Sequence, residues 1–207
     1  MKQNDVRLIG ITGGIGAGKT MILEYVRRHY RCRVFLADET AHAVKEPGQP
    51  CHEKLVRLLG RGILLPDGRI DRAAMAARIF REKDLLEQVN AIIHPAVQRY
   101  FLDEVEQARQ DPEVELLFIE AALLIETGYK ELVDELWYIH AEEAVRRKRL
   151  GERERGYAPE EITRIMERQL PEEVFRRECD WVVENNGSAE ECYQRIDQKL
   201  EAYTWQE

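Results

Sequence analysis

Arg7-Leu8-Ile9-Gly10-Ile11-Thr12-Gly13-Gly14-Ile15-Gly16-Ala17-Gly18-Lys19-Thr20 is the stretch from which the rest of the chain is read. Its first six residues form a short apolar run ending in glycines, which suits a buried parallel strand better than a helix. Gly13 to Thr20 then fits G-x-x-x-x-G-K-[ST]. From Lys19 to His29, Met21, Ile22, Tyr25 and Val26 recur at helical spacing. The pattern is therefore strand, glycine loop, helix, the context in which this motif cradles phosphates. Each part has a physical task. Glycines permit the tight turn that aims backbone N–H groups inward, and the helix N-terminus adds partial positive charge. Lys19 brings a mobile full charge for β- and γ-phosphates, and the Thr20 hydroxyl is a hard oxygen of the kind Mg²⁺ prefers.

Outward from this loop, Arg33-Val34-Phe35-Leu36-Ala37 is a second apolar run ending at Asp38. From Thr40 to about Gln110 the pattern turns helical, broken by Pro47-Gly48, Leu65-Pro66-Asp67-Gly68 and His94-Pro95. Strand character returns at 114–119, 136–139 and 181–183. Five short strands alternating with helices give an α/β class: a three-layer P-loop NTPase fold on a parallel five-stranded sheet. The helical middle reads as an insertion. The expected division is a single domain over 1–207, with a core of 1–39, 113–140 and 171–207, a helical substrate-binding insertion at about 40–112, and a helical lid at about 141–170.

The 207 residues suffice for one sizeable core, and regular apolar periodicity speaks against disorder despite a charged fraction of 34%. A net charge of −8 argues against a dedicated nucleic-acid or membrane-surface binder, so an anionic ligand must be held by local cations. Residues 146–155 supply such a concentration, with six Lys or Arg against two Glu. Cys32, Cys51, Cys179 and Cys192 form no CxxC pair, which removes the usual zinc and redox spacings. Ser188 is the sole serine and lies outside any G-x-S-x-G elbow, which excludes serine hydrolase chemistry. With no signal region and no long apolar stretch, the expected location is cytoplasmic.

The loop alone leaves kinase, GTPase and ATPase motor open. No N-K-x-D tetrad and no well-placed D-x-x-G segment support a GTPase. A small-molecule kinase needs a group beside the acceptor hydroxyl, an acceptor-holding insertion and mobile arginines. Asp38, at the end of the second strand, is the candidate orienter or base, with a helix-capping Asp as the alternative. Within the basic run, Arg149 and Arg153 stand four apart on one helical face and are the candidate lid arginines. Glu120 is read as just past the third strand, within reach of the metal shell through water or paired with an arginine. His94 precedes proline, which biases it away from helical geometry toward a turn. Trp137, Tyr138 and Trp181 read as core.

Gly13 to Lys19, Ala37-Asp38, Pro47-Gly48, Asp67-Gly68-Arg69-Ile70-Asp71-Arg72, His94-Pro95, Leu123-Leu124-Ile125-Glu126, the Arg149 to Arg164 stretch with Gln169, and Asn185-Asn186-Gly187 together resemble the dephospho-CoA kinase family, in order and across nearly the whole chain. The resemblance implies transfer of the ATP γ-phosphoryl group to the ribose 3′-hydroxyl of dephospho-coenzyme A. It implies ATP and Mg²⁺ as cofactors, ATP and dephospho-CoA as small-molecule partners, and no nucleic acid, membrane or obligate protein partner. On that resemblance, Gly14, Ile15, Gly16, Ala17, Gly18, Lys19, Thr20 and Met21 bind the nucleotide, Asn186 and Gly187 face its adenine, Asp38 and His94 meet the acceptor, and Thr20 and Glu120 address the metal. Asp38, Lys19, Arg149 and Arg153 form the expected catalytic set. The chain departs from the family pattern at Leu36, where Asp is frequent, at Met21, where Thr is common, and at Ala122, where Pro is usual. Another nucleoside or nucleotide kinase and a non-catalytic nucleotide-binding regulator are the alternatives.

Overall fold

The computed structural model describes residues 5–121, 124–126, 128–152 and 156–203. Five strands, β1 (Arg7–Thr12), β2 (Cys32–Leu36), β3 (Leu116–Glu120), β4 (Glu135–His140) and β5 (Trp181–Glu184), form one sheet in the order β2-β3-β1-β4-β5. The pairs β1–β3, β1–β4 and β4–β5 all run parallel. Parallel pairing requires crossovers, and helices supply them: α1 (Lys19–His29) leads from β1 to β2, and α6 (Glu143–Gly151), α7 (Pro159–Met166) and α8 (Glu172–Glu178) lead from β4 to β5. The α9 helix (Ala189–Glu201) follows β5.

The central strands are covered on both faces, so they read as apolar runs rather than alternating ones. Ile9, Ile11, Leu117, Phe118, Leu136, Trp137 and Ile139 are fully buried. Trp137 packs edge-on against Phe118 and Trp181, and Tyr138 stacks on Phe175. All four cysteines are free, and burial pushes the Cys179 thiol up to about 12, the state of an inert packing group.

The chain divides into two compact units, Met1–Val34 with Asp111–Glu207, and Phe35–Gln110. The second unit is helical: α2 (Ala37–Ala43), α3 (Pro50–Leu59), α4 (Arg72–Arg81) and α5 (Lys83–Gln110), with a short antiparallel bridge between Leu64 and Ile70. Its core forms around α5, where Phe101 and Val89 are buried with Leu55 and Leu59 of α3. Among the described residues, no helix is long and apolar enough to cross a membrane.

Three local expectations change. β2 ends at Leu36, and Ala37-Asp38 open α2, so Asp38 sits in the first turn of a helix instead of closing a strand. It does not cap that helix: Leu36 holds the N-cap position, with no side-chain cap bond. Glu120 is the last residue of β3 instead of the one beyond it. His94 lies inside the 28-residue helix α5, which continues through Pro95. Proline there forfeits one i→i−4 bond, to the Ala91 carbonyl, and the buried face formed by Val89, Val97, Phe101 and Val105 outweighs that loss.

Candidate active site

The glycine loop leaves β1 and turns directly into α1. Gly18 occupies the N-cap position of α1 at φ 100°, a left-handed conformation that a Cβ would strain, and no side chain caps the helix. The first-turn amides of α1 are thereby presented without a competing side-chain acceptor. Lys19 folds back over the loop, its Nζ donating to the Gly13 carbonyl at 2.8 Å and lying 3.6 Å from Glu120 Oε1. Thr20, the second residue of α1, is exposed, and Met21 behind it is half-buried.

Groups from distant parts of the chain hold this loop in shape. Asn185, directly after β5 and buried, donates Nδ2 to the Ala17 carbonyl at 2.7 Å, while its own N–H bonds the His140 carbonyl at 2.8 Å. Arg149 Nη1 lies 3.5 Å from the same Ala17 carbonyl. Gln169, just beyond α7, accepts with Oε1 from the Ile15 amide at 3.3 Å and from Arg146 Nη1 at 3.2 Å. The Arg146 guanidinium lies against Gly14 closely enough that any Cβ there would collide with it. A 490 Å³ cavity opens beside these groups, lined by Gly14, Tyr138, Arg146, Thr163, Gln169 and Phe175 among others.

Of the residues expected from the sequence, the structure gathers Gly14, Ile15, Gly16, Ala17, Gly18, Lys19, Glu120 and Arg149 around the loop. Arg153 lies outside the described residues. Asn186 is exposed, accepting from the Glu142 amide at 2.7 Å, and so ties the turn after β5 to the start of α6; Gly187 leaves room for the Glu191 carboxylate. Asp38 and His94 belong to the second unit. Asp38 is exposed on α2, and its charge acts on His42 and Lys45. His94 lines neither of the two cavities described in that unit.

Sequence reading passed over Asn185 and Arg146 as site residues. The sequence names Asn185 only within the Asn185-Asn186-Gly187 stretch and Arg146 only within the basic run at 146–155, with no role for either. Only its position within the basic run, three residues before Arg149 and hence one turn along the same helix, could have drawn attention to Arg146.

A profile of the dephospho-CoA kinase family matches residues 7–191. A dephospho-CoA kinase from Geobacter sulfurreducens is 33% identical over 193 residues, covering 93% of this chain and 96% of the relative. A Thermus thermophilus crystal structure superposes with a TM-score of 0.81 at 30% identity, covering 97% of this chain and 100% of the other. The fold is shared with a Campylobacter jejuni dephospho-CoA kinase, at a TM-score of 0.69 and 20% identity over 94% of this chain and 98% of that one. The loop by itself is common to many kinases, but a match running from the first residue of β1 into α9, with relatives covered almost end to end, is not: this chain belongs to the dephospho-CoA kinase family.

Proposed function

We propose that this chain transfers the γ-phosphoryl group of ATP to the ribose 3′-hydroxyl of dephospho-CoA, giving coenzyme A and ADP, with Lys19 and the loop amides on the donor and Asp38 on the acceptor. The single observation that carries the reading is the family match over residues 7–191, because the loop geometry alone would serve any P-loop kinase. In the reaction the 3′-oxygen forms a bond to the γ-phosphorus, the bond from that phosphorus to the β,γ-bridging oxygen breaks, and ADP leaves. The hydroxyl proton passes to the Asp38 carboxylate. Such transfer is largely loose, so an ordinary carboxylate suffices to orient the hydroxyl and accept its proton late.

Lys19, which bonds the Gly13 carbonyl and pairs with Glu120, turns its Nζ to β- and γ-phosphate oxygens, charged acceptors that bond more strongly than a carbonyl. Arg149, on the face of α6 that reaches Ala17, neutralises charge developing on the transferring group, and Arg153 is assigned the same task. The turn at Asn186 and Gly187 borders the adenine. The donor set also suits Mg²⁺: the Thr20 hydroxyl is exposed at the start of α1 and Glu120 offers a carboxylate at the end of β3, both hard oxygens. When bound, that ion supplies charge neutralisation on the β- and γ-oxygens. The helical stretch at about 40–112, with His94, holds the acceptor, and the stretch at about 141–170 serves as the lid.

A coupled assay offering dephospho-CoA, AMP and nucleosides in turn tests the reading. Turnover of dephospho-CoA with phosphate found on the ribose 3′-oxygen is expected. Efficient use of AMP or a nucleoside with no turnover of dephospho-CoA would replace it with a nucleotide-kinase assignment.

A further inference from the structure

In the helical unit, α2 and the turn behind it, the Leu64–Ile70 bridge region and the start of α4 enclose a 290 Å³ cavity. His42, Lys45, Arg69 and Arg72 line it, with Glu46 and Asp71 as the only acids among its lining residues. Glu46 acts on Arg69 among those cations. Asp71 is the N-cap of α4, its carboxylate accepting from the Ala73 and Ala74 amides at 2.8 and 3.2 Å. Arg69 is engaged by Asp67 at 2.7 Å. Lys45 and Arg72 have no side-chain hydrogen bond or ion pair among the described residues, and they act on each other as like charges.

Lys45 is half-buried, and burial lowers its pKa first, with Arg72 adding to the effect; His42 is lowered by burial and then by Lys45 and Arg72. Asp38 pulls both groups the other way. Holding two cations together at a cavity wall is unfavourable unless an anion completes the arrangement.

We propose that this cavity is an anion subsite in which Lys45 and Arg72 take a diphosphate group of the acceptor substrate, with His42 at its rim. The assignment rests on the kinase reading above. It supplies what that reading lacks on the acceptor side: a fixed charge contact remote from the reacting hydroxyl, so that binding the diphosphate orients the ribose. Asp38, whose charge already reaches Lys45 and His42, then stands next to the bound acceptor. In a protein of net charge −8, Lys45 and Arg72 at one cavity concentrate positive charge locally, as such a substrate requires.

Two measurements test the subsite. In the first, inorganic pyrophosphate is titrated into the full-length enzyme saturated with a non-hydrolysable ATP analogue, so that the glycine loop is already filled. Lys45→Ala and Arg72→Ala should each weaken pyrophosphate binding at least tenfold, and Lys45→Arg should restore most of it. Equal binding by the parent and both alanine variants, with unchanged melting temperatures, would overturn the subsite. In the second, the same variants should raise KM for dephospho-CoA at least tenfold while KM for ATP stays within twofold. A parallel rise in both constants would mark a general structural defect and also overturn the proposal. Failure of the underlying reading looks different: the unsubstituted enzyme would not turn over dephospho-CoA at all, whatever the pyrophosphate titration gives.

Discussion

At the level of single residues, Asn185 does what no motif announces. It sits in the interior with one hydrogen bond back to β4 and one forward to the loop, so a single side chain couples the end of β5 to the Ala17 carbonyl. Asn185→Asp would replace a donor with a negatively charged acceptor facing that carbonyl. We expect a loss of roughly 1 to 3 kcal/mol in stability and a tenfold or greater loss in ATP affinity. Thermal melting and calorimetric ATP titration check both, and an aspartate variant that binds ATP like the parent would remove Asn185 from the loop's support. Asp38 calls for the opposite split. Asp38→Asn keeps the size and loses the carboxylate proposed to take the hydroxyl proton, so kcat with dephospho-CoA should fall by roughly two orders of magnitude. ATP affinity should remain within twofold in the same preparation. An unchanged kcat would exclude Asp38 from the chemistry. Asp38 could be singled out from its place after an apolar run, whereas Asn185 could not, because its role depends on a partner 168 positions away.

Between elements, Gln169 links the α7–α8 connection to the loop. Its carboxamide oxygen accepts from the Ile15 amide and from Arg146 together, which is the kind of bonding a phosphate oxygen also seeks there. Gln169→Glu would put a carboxylate on that amide beside Arg146 and compete with the nucleotide, raising KM for ATP about tenfold or more. Gln169→Ala removes the competitor together with one bond that supports the loop, and should leave KM for ATP within about twofold of the parent. If the two variants shift KM alike, Gln169 acts only through folding. Helix α5 shows why element boundaries resist local reading. His94-Pro95 is a sound break signal for an isolated segment, yet the helix runs through it, since packing along its buried face outweighs a single lost hydrogen bond. The displacement of Asp38 into α2 has a similar origin: an apolar run states that a segment is buried but not the residue at which it stops being extended.

On the scale of the whole molecule, Glu135 at the start of β4 joins chain segments from both ends of the sequence. It accepts from Arg7 of β1 at 2.6 Å, from Trp137 at 3.0 Å and from Tyr203 at 2.7 Å, and it pairs with Lys199 of α9 at 3.0 Å. Burial alone would raise its pKa, but these four donors outweigh burial and bring it down to about 2. Since the folded value lies below the ordinary 4.5, the associated stability is present above that value and is lost as pH falls toward about 2. The shift corresponds to stability on the order of 3 kcal/mol at neutral pH. Glu135→Gln should therefore lower neutral stability and flatten the acid limb between pH 4.5 and 2, as followed by denaturant unfolding across that range. An acid limb of unchanged steepness would show that other carboxylates dominate it. The sequence by itself determined the sheet, the phosphate loop, the kinase class and the family, because these depend on local periodicity and on residues adjacent in the chain. Only the tertiary structure decided that Asn185 and Gln169 hold the loop, that Arg146 lies against Gly14, and that Lys45 and Arg72 share one cavity. Such contacts join residues far apart in sequence, and their energies arise from burial and charge proximity that exist only once the chain has folded.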